Sequence, residues 1–583
     1  MLLFENNMGN KTLRNPYLKA GIISLVLTIV FLNNFIFNLM YPLGEWGISV
    51  DTRHAVFTIN HIIKTLLSLD FSNLLSPPMF YYTPNNLLLS ETFFLQSLLA
   101  LPIYLITLGN AIVTFNLLSI VIKILSFFSM FVYVYYLTKS FWPSILASVI
   151  FVFNPFIMPA FASQPVFESL FFIPLIFLML EKLLNKITTT SVLLFFVTLS
   201  LQVISSLSYT AFLAIILPVY ISIRLIQKKV NPIKLLNWGV WLGSLIFLSV
   251  ISLLGGLYLK LAPEVPFSPS EIISLYSVRL SDLFFAGEAN LIYGSLRREI
   301  AANMPGFASL DPTSAMKNLF WGVTPFILFV LSFKFVRKSE FKNIWLASSI
   351  LMLLCICLSF GPTMTITEEF SVPGIYSLLV NLPGFEDIKI VSRFAVFMFF
   401  FLSLIAAFSI LEISKKITPS RRSIFTIVII FLIVLEFWNK PFKFDDPYPE
   451  FGSFYKFLND QKDITTIVEI PISGSGIILP TIKNQESDAD FLLYASMFHD
   501  KKLINGLSSS YPKSHKERIR ILLINFPTKD KLQIVNGWGV DAVVLHKGLF
   551  LSPMDYEVAK ERFLELGTEL RYSTENLSLF VLK

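Results

Sequence analysis

Long apolar runs, separated by polar stretches, set the pattern of this chain. The first covers residues 20–41, enough for a helix to cross roughly 30 Å of hydrocarbon. Others lie at 111–137, 141–158, 166–181, 189–206, 208–223, 235–258, 318–333, 344–360, 394–411 and 423–438. Together they predict an α-helical polytopic membrane protein of about eleven spans. The run at 92–108 reads instead as a re-entrant or interfacial helix, because counting it as a span would invert every later basic loop. After Trp438 the pattern changes. Residues 440–583 mix charged and apolar positions, with strand-like runs at 466–470, 541–545 and 577–582 and helical stretches at 513–525 and 554–566. That mixture predicts a small C-terminal soluble α/β domain.

Charge orients the runs. Basic residues gather before the first run (Lys11, Arg14, Lys19) and after the fourth (Lys182, Lys186). They gather again between the sixth and seventh (Arg224, Lys228, Lys229, Lys234), after the eighth (Lys334, Arg337, Lys338, Lys342) and after the tenth (Lys415, Lys416, Arg421, Arg422). With these loops cytoplasmic, the N-terminus lies inside and the C-terminal domain outside the cytoplasmic membrane, after an odd number of crossings. The first run has no small-residue cleavage signal after it and reads as an uncleaved anchor. Lys123 interrupts the second run near its outer half and reads as a lysine that snorkels outward, with a buried functional lysine as the alternative.

Composition agrees. Of 583 residues 54% are hydrophobic and 15% charged, which excludes an ordinary soluble globule. The formal net charge of +7 sits in the loop clusters, so no nucleic-acid face emerges. The two cysteines, Cys355 and Cys357, point to nearly opposite sides of one helix and read as packing residues. Phosphate-binding glycine loops, zinc-ligand pairs and nucleophile elbows are absent from the sequence. Nucleotide sugars and ATP are therefore not expected as direct substrates. No cofactor is called for; whether the carboxylates take a divalent cation is left open.

Three extracytoplasmic stretches, 42–110, 259–317 and 361–393, are too long to be connectors alone. The first delivers Asp51 after Tyr41-Pro-Leu-Gly-Glu-Trp-Gly-Ile-Ser-Val and just before a predicted helix over 52–69. Asp51 fits a general base and also fits a helix N-cap. His54, one turn on, could tune or replace it, or be a plain interfacial histidine. The second stretch carries Arg279, Asp282, Arg297 and Arg298; the third ends in Asp387-Ile-Lys389-Ile-Val-Ser-Arg393-Phe.

Order and topology resemble the GT-C superfamily of membrane glycosyltransferases, which take sugars from polyprenyl-phosphate donors, and a bacterial subset of it in particular. In that class an acidic residue follows the first span in the first large outer loop, and Asp51 matches it. The subset has Gly-Asp there, followed further on by a Phe-Tyr-Pro-Thr-like stretch. Here the pair is Val50-Asp51 and the stretch Phe80-Tyr-Tyr-Thr-Pro84-Asn-Asn-Leu-Leu. Phe153-Asn-Pro-Phe156, Leu382-Pro-Gly-Phe385 and Val391-Ser-Arg-Phe394 resemble the same subset's signposts, and Ser277-Val-Arg-Leu-Ser-Asp282 a segment of its long outer loop.

The resemblance implies a glycosyltransferase module over residues 1–439 that acts at the outer face, within the cell envelope, by an inverting transfer. The partners it implies are the bilayer, a polyprenyl-phosphate sugar donor, and a glycan, lipid or protein acceptor. Such a transfer needs a carboxylate to take the acceptor's proton and cations to hold the departing phosphate. Asp51 is the candidate base. Arg393 is the first candidate phosphate ligand, with Lys389 on the same face if the stretch is helical. Arg279, with Asp282 in its segment, is the next. Glu168, beside Gln164 at the outer start of the fourth run, is a candidate second acid that positions the acceptor. Tyr81 and Tyr82 would stack on sugar or belong to an interfacial belt. The competing readings are a transporter or flippase of lipid-linked saccharides, and a non-catalytic assembly subunit.

Overall fold

A computed structural model describes residues 15–43, 49–161, 165–229, 238–265, 270–303, 314–366, 370–382, 385, 388–444, 452–472, 492–523 and 526–582. The chain divides into two compact units. One comprises residues 1–39, 117–252 and 267–443; the other comprises 40–116, 253–266 and 444–583. The C-terminal residues thus share a unit with the whole of the first long loop, a grouping that the sequence pattern does not reveal.

Helices occupy all eleven apolar runs. Among the described residues five are long and apolar enough to cross a membrane: Ala111–Thr138, Leu207–Lys228, Trp238–Glu264, Lys342–Ser359 and Val391–Ser414. The chain is a multi-pass membrane protein with mostly helical structure and a small C-terminal sheet. The first run is not one continuous helix. Pro16–Phe31, capped by the Asn15 side chain on Tyr17 N–H, gives way at Leu32 to a short turn over Asn33–Ile36. The cause is local. The Asn33 amide donates to the Val30 carbonyl and Asn38 to that of Asn34, side-chain bonds that compete with the helix ladder.

Within the first unit the Ala395–Ser414 helix is the core, buried along almost its whole length. Aromatic packing holds its neighbours to it. Phe400 stacks on Tyr133 at 5.8 Å and meets Phe177 at 4.7 Å and Phe151 at 5.7 Å. The abundance of Phe, 59 residues, therefore serves helix packing as well as any lipid-facing surface. Not every basic residue of the charge clusters is solvated. Arg224 is buried and grips Glu181 with two bonds of 2.7 and 3.0 Å, joined by Lys228 at 3.1 Å and the Tyr220 hydroxyl at 2.8 Å.

The second unit is built on a five-stranded sheet of order β4-β3-β5-β7-β6: β3 (Thr466–Ile470), β4 (Lys502–Leu503), β5 (Ala542–His546), β6 (Glu569–Ser573) and β7 (Leu577–Val581). (β1, Thr363–Thr365, and β2, Ser371–Pro373, form a separate hairpin in the first unit.) β3 runs parallel to β4 and β5, while β7 is antiparallel to β5 and β6. The helices Lys513–Leu523, Lys529–Gly537 and Pro553–Glu565 complete an α/β arrangement. The edge at β4 is covered by the first loop. Leu503 N–H donates to the Pro78 carbonyl, and Phe80 and Tyr81 N–H donate to those of Asn505 and Leu503. In the same unit the Phe94–Ile106 helix, 13 residues with Pro102 inside, packs on Ser49–Leu67. At about 20 Å it is too short to span a bilayer unaided.

Candidate active site

In the second unit Asp51 lies in the first turn of the Ser49–Leu67 helix and is half-buried. It is therefore inside the helix and not its N-cap, at the end where unsatisfied N–H groups favour an anion. His54, on the next turn, is buried with its ring 6.2 Å from Phe93, and its Nε2 has no hydrogen-bond partner. Burial pushes its pKa down to about 4. Its neighbours on this helix, among them Thr52, Ala55, Val56 and Phe57, are buried with it, so His54 faces packing.

Tyr81 and Tyr82 go different ways. Tyr81 is 37% exposed, with Lys502 Nζ 5.0 Å from its ring centre. Tyr82 lies against the C-terminal core, its hydroxyl 2.5 Å from His515 Nδ1 and the Arg518 guanidinium 3.5 Å over its ring. Burial raises the Tyr82 phenol well above its usual range and lowers His515 to about 3. One face of Tyr82 is taken by Arg518, so of the two rings Tyr81 is the more open.

In the first unit two of the predicted stretches meet. The Arg279 and Arg393 stretches join at Gly361, whose φ is +71°. A Cβ there would fall 1.9 Å from Ser277 Oγ and 3.4 Å from Val391, so only glycine fits between them. Val278 N–H also donates to the Ser359 carbonyl at 3.0 Å. Arg279 itself is half-buried, with Nη1 enclosed and lacking a hydrogen-bond partner. Asp282 is buried. One of its oxygens accepts from Arg279 N–H at 2.8 Å, the other from Arg297 Nη2 at 2.7 Å. It ties the loop together through Arg297, itself 2% exposed, and that pairing escaped the sequence reading. Arg298 pairs with Glu288 at 3.1 Å.

Arg393 sits in a 3-10 turn, Val391–Phe394, that leads into the core helix. Its guanidinium carbon lies 3.2 Å from the centre of the Phe167 ring. The backbone at Ile390 has φ −110° and ψ 77°, so Lys389 precedes the turn and the helical spacing expected for Lys389 and Arg393 does not form. Glu168 follows Phe167 and is buried, its Oε2 3.5 Å from Lys123 Nζ. Lys123, 1% exposed, does not snorkel. It is held within the Ala111–Thr138 helix by that carboxylate and lies 5.3 Å from the Phe161 ring. Two further bonds fix the segment: Tyr209 hydroxyl to the Phe167 carbonyl at 2.8 Å, and Ser126 hydroxyl to that of Glu168 at 3.4 Å.

Other signposts are structural. Asn154 accepts from Phe156 and Ile157 N–H at 3.1 and 2.9 Å, an Asx turn just past the Phe141–Val152 helix. The Phe385 carbonyl accepts from the Tyr376 hydroxyl at 2.9 Å. Gln164, Pro383, Gly384 and Asp387 lie outside the described residues. Among the described residues no group of three or more His, Cys, Asp or Glu is placed to hold a metal ion.

No protein-family model and no curated protein matches the chain. Solved structures do. The arabinofuranosyltransferase AftD from Mycobacteria superposes with a TM-score of 0.53 at 11% identity, covering 97% of this chain and 40% of AftD. A mutant form of AftD gives 0.53 at 11%, over 97% of this chain and 41% of that one. The oligosaccharyltransferase AglB from Archaeoglobus fulgidus covers 92% of this chain and 70% of its own, at 10% identity and a TM-score of 0.47. This chain spans about two fifths of AftD's length. The shared architecture is that of the GT-C membrane glycosyltransferases, and this chain has their fold.

Proposed function

We propose that the chain is a membrane glycosyltransferase. It moves a sugar from a polyprenyl-phosphate donor to an acceptor hydroxyl at the outer face of the cytoplasmic membrane. The observation that carries this reading is the Arg393 guanidinium stacked on Phe167 at the entrance of the core helix, in a chain that folds like AftD. A guanidinium is attracted to an aromatic face and carries a planar fork whose geometry matches a phosphate.

In the proposed reaction Asp51 takes the proton of the acceptor hydroxyl as its oxygen attacks the anomeric carbon. The bond from that carbon to the phosphate oxygen breaks, and polyprenyl phosphate leaves with the electron pair. Attack opposite the leaving group inverts the anomeric centre. Arg393 and Arg279 would stabilise the charge that gathers on the leaving phosphate. Glu168 is assigned no contact with the acceptor, because its carboxylate is buried against Lys123. Outward placement of the site follows from the basic loops.

The test is reconstitution in proteoliposomes with a polyprenyl-phosphate sugar labelled in the sugar, together with a cell-envelope glycan extract. Label should move into the glycan with release of polyprenyl phosphate, while labelled nucleotide sugars stay inert. Intact donor crossing the bilayer without cleavage would support the transporter reading and defeat this one.

A further inference from the structure

The Lys123–Glu168 pair lies next in sequence to the Phe167 ring that carries Arg393. A lysine inside an apolar 28-residue helix is costly unless a partner and a purpose keep it there. Its partner is Glu168, both groups being almost fully enclosed. The purpose is suggested by what Glu168 is attached to. The residue before it, Phe167, carries the Arg393 guanidinium on its ring face. The side-chain hydroxyls of Tyr209 and Ser126 donate to the carbonyls of Phe167 and Glu168, and the Lys123 ammonium holds the Glu168 carboxylate.

We infer that Lys123 and Glu168 are positioning residues for the donor phosphate. The pair pins the Phe167–Glu168 segment to the Ala111–Thr138 helix, and so sets the ring against which Arg393 is aligned. This rests on the proposed role of Arg393 as phosphate ligand. Neither Lys123 nor Glu168 touches substrate in this account. The pair acts through Phe167, whose ring restricts a long, flexible side chain to one plane.

Removing one partner strands a buried charge and destabilises the protein whatever its role, so single variants do not decide the matter. The deciding variant removes both charges at once, Lys123→Met with Glu168→Gln, and leaves no unpaired ion. The probe is radiolabelled undecaprenyl phosphate, titrated onto purified protein in nanodiscs, with thermal unfolding measured on the same samples. The expected result is a Tm within a few degrees of the parent and a Kd for the probe raised about tenfold. Phe167→Leu, which keeps bulk but removes the ring, should raise it similarly. If the double variant recovers both Tm and Kd, the pair serves packing alone and the inference fails. Arg393→Ala is the control: if it binds the probe as the parent does, the phosphate-ligand reading itself has failed, independently of the pair.

Discussion

The guanidinium carbon of Arg393 lies over the ring of Phe167, 3.2 Å from its centre, and Phe167 is bonded in sequence to the buried Glu168. This contact joins the mouth of the core helix to the segment that Lys123 anchors. It gives a residue that sequence pattern names only as a cation at a span end a defined plane and a defined neighbour.

Arg393→Ala should weaken binding of a polyprenyl phosphate by one to two orders of magnitude, since charge-assisted bonds are worth about 1.5–3 kcal/mol and tenfold is about 1.4 kcal/mol. Arg393→Lys should recover only part of this, because an ammonium neither stacks as a plane nor presents a fork. Titration in nanodiscs measures both. Unchanged affinity in folded Arg393→Ala protein would make the residue an interfacial anchor.

Arg297→Met should destabilise the first unit by about 3–5 kcal/mol by stranding the Asp282 carboxylate in a buried site. The double variant Arg297→Met with Asp282→Asn should recover most of that loss. Thermal unfolding of the three proteins checks the order, and equal Tm values for single and double variants would contradict it.

Much of the fold is legible in the sequence because hydrophobic periodicity is local: each of the eleven runs carries a helix, and β3, β5 and β7 fall on the predicted strands. What escapes is non-local. Asp282 looks like any loop carboxylate until Arg297 is folded onto it, and Lys123 looks like a snorkelling lysine until Glu168 arrives from a separate run. Tyr82 reads as a belt residue because nothing in the first loop announces that His515, far along the chain, will accept it. Asp51 and Arg393, by contrast, are marked by position alone, one after the first span and one before the core helix. The break at Leu32 was also present in the sequence, in Asn33 and Asn38, but uncharged asparagines do not interrupt an apolar run as lysine does.

Stability of the second unit should fall with pH below 6.5. His54, His499 and His515 are buried, and burial holds their folded pKa values near 4, 3 and 3, below the ordinary 6.5. The unfolded chain therefore binds more protons, and stability, full above pH 6.5, is lost as pH falls toward 3–4. Each histidine contributes about 1.4 kcal/mol per pH unit within that window. Melts of the protein between pH 7 and pH 4.5 should show a falling Tm, with a shallower slope in His515→Gln. A slope unchanged by that substitution would contradict the assignment.

Residues 440–583 should lie outside the cell membrane. In a background lacking Cys355 and Cys357, Asp555→Cys, an exposed position, should react with a membrane-impermeant maleimide on intact cells. Lys416→Cys, exposed in a basic loop, should react only after lysis. The reverse pattern would invert the charge-based orientation.

The central claim is that Asp51 is the base, and Asp51→Asn tests it most directly, because the amide keeps the shape and loses the proton-accepting power. The measurement is the transfer rate of labelled sugar from a polyprenyl-phosphate donor in proteoliposomes, alongside the Kd for undecaprenyl phosphate on the same preparation. The account predicts a fall in transfer of about 100-fold or more with the Kd unchanged. Transfer at the parent rate by folded Asp51→Asn protein would contradict it.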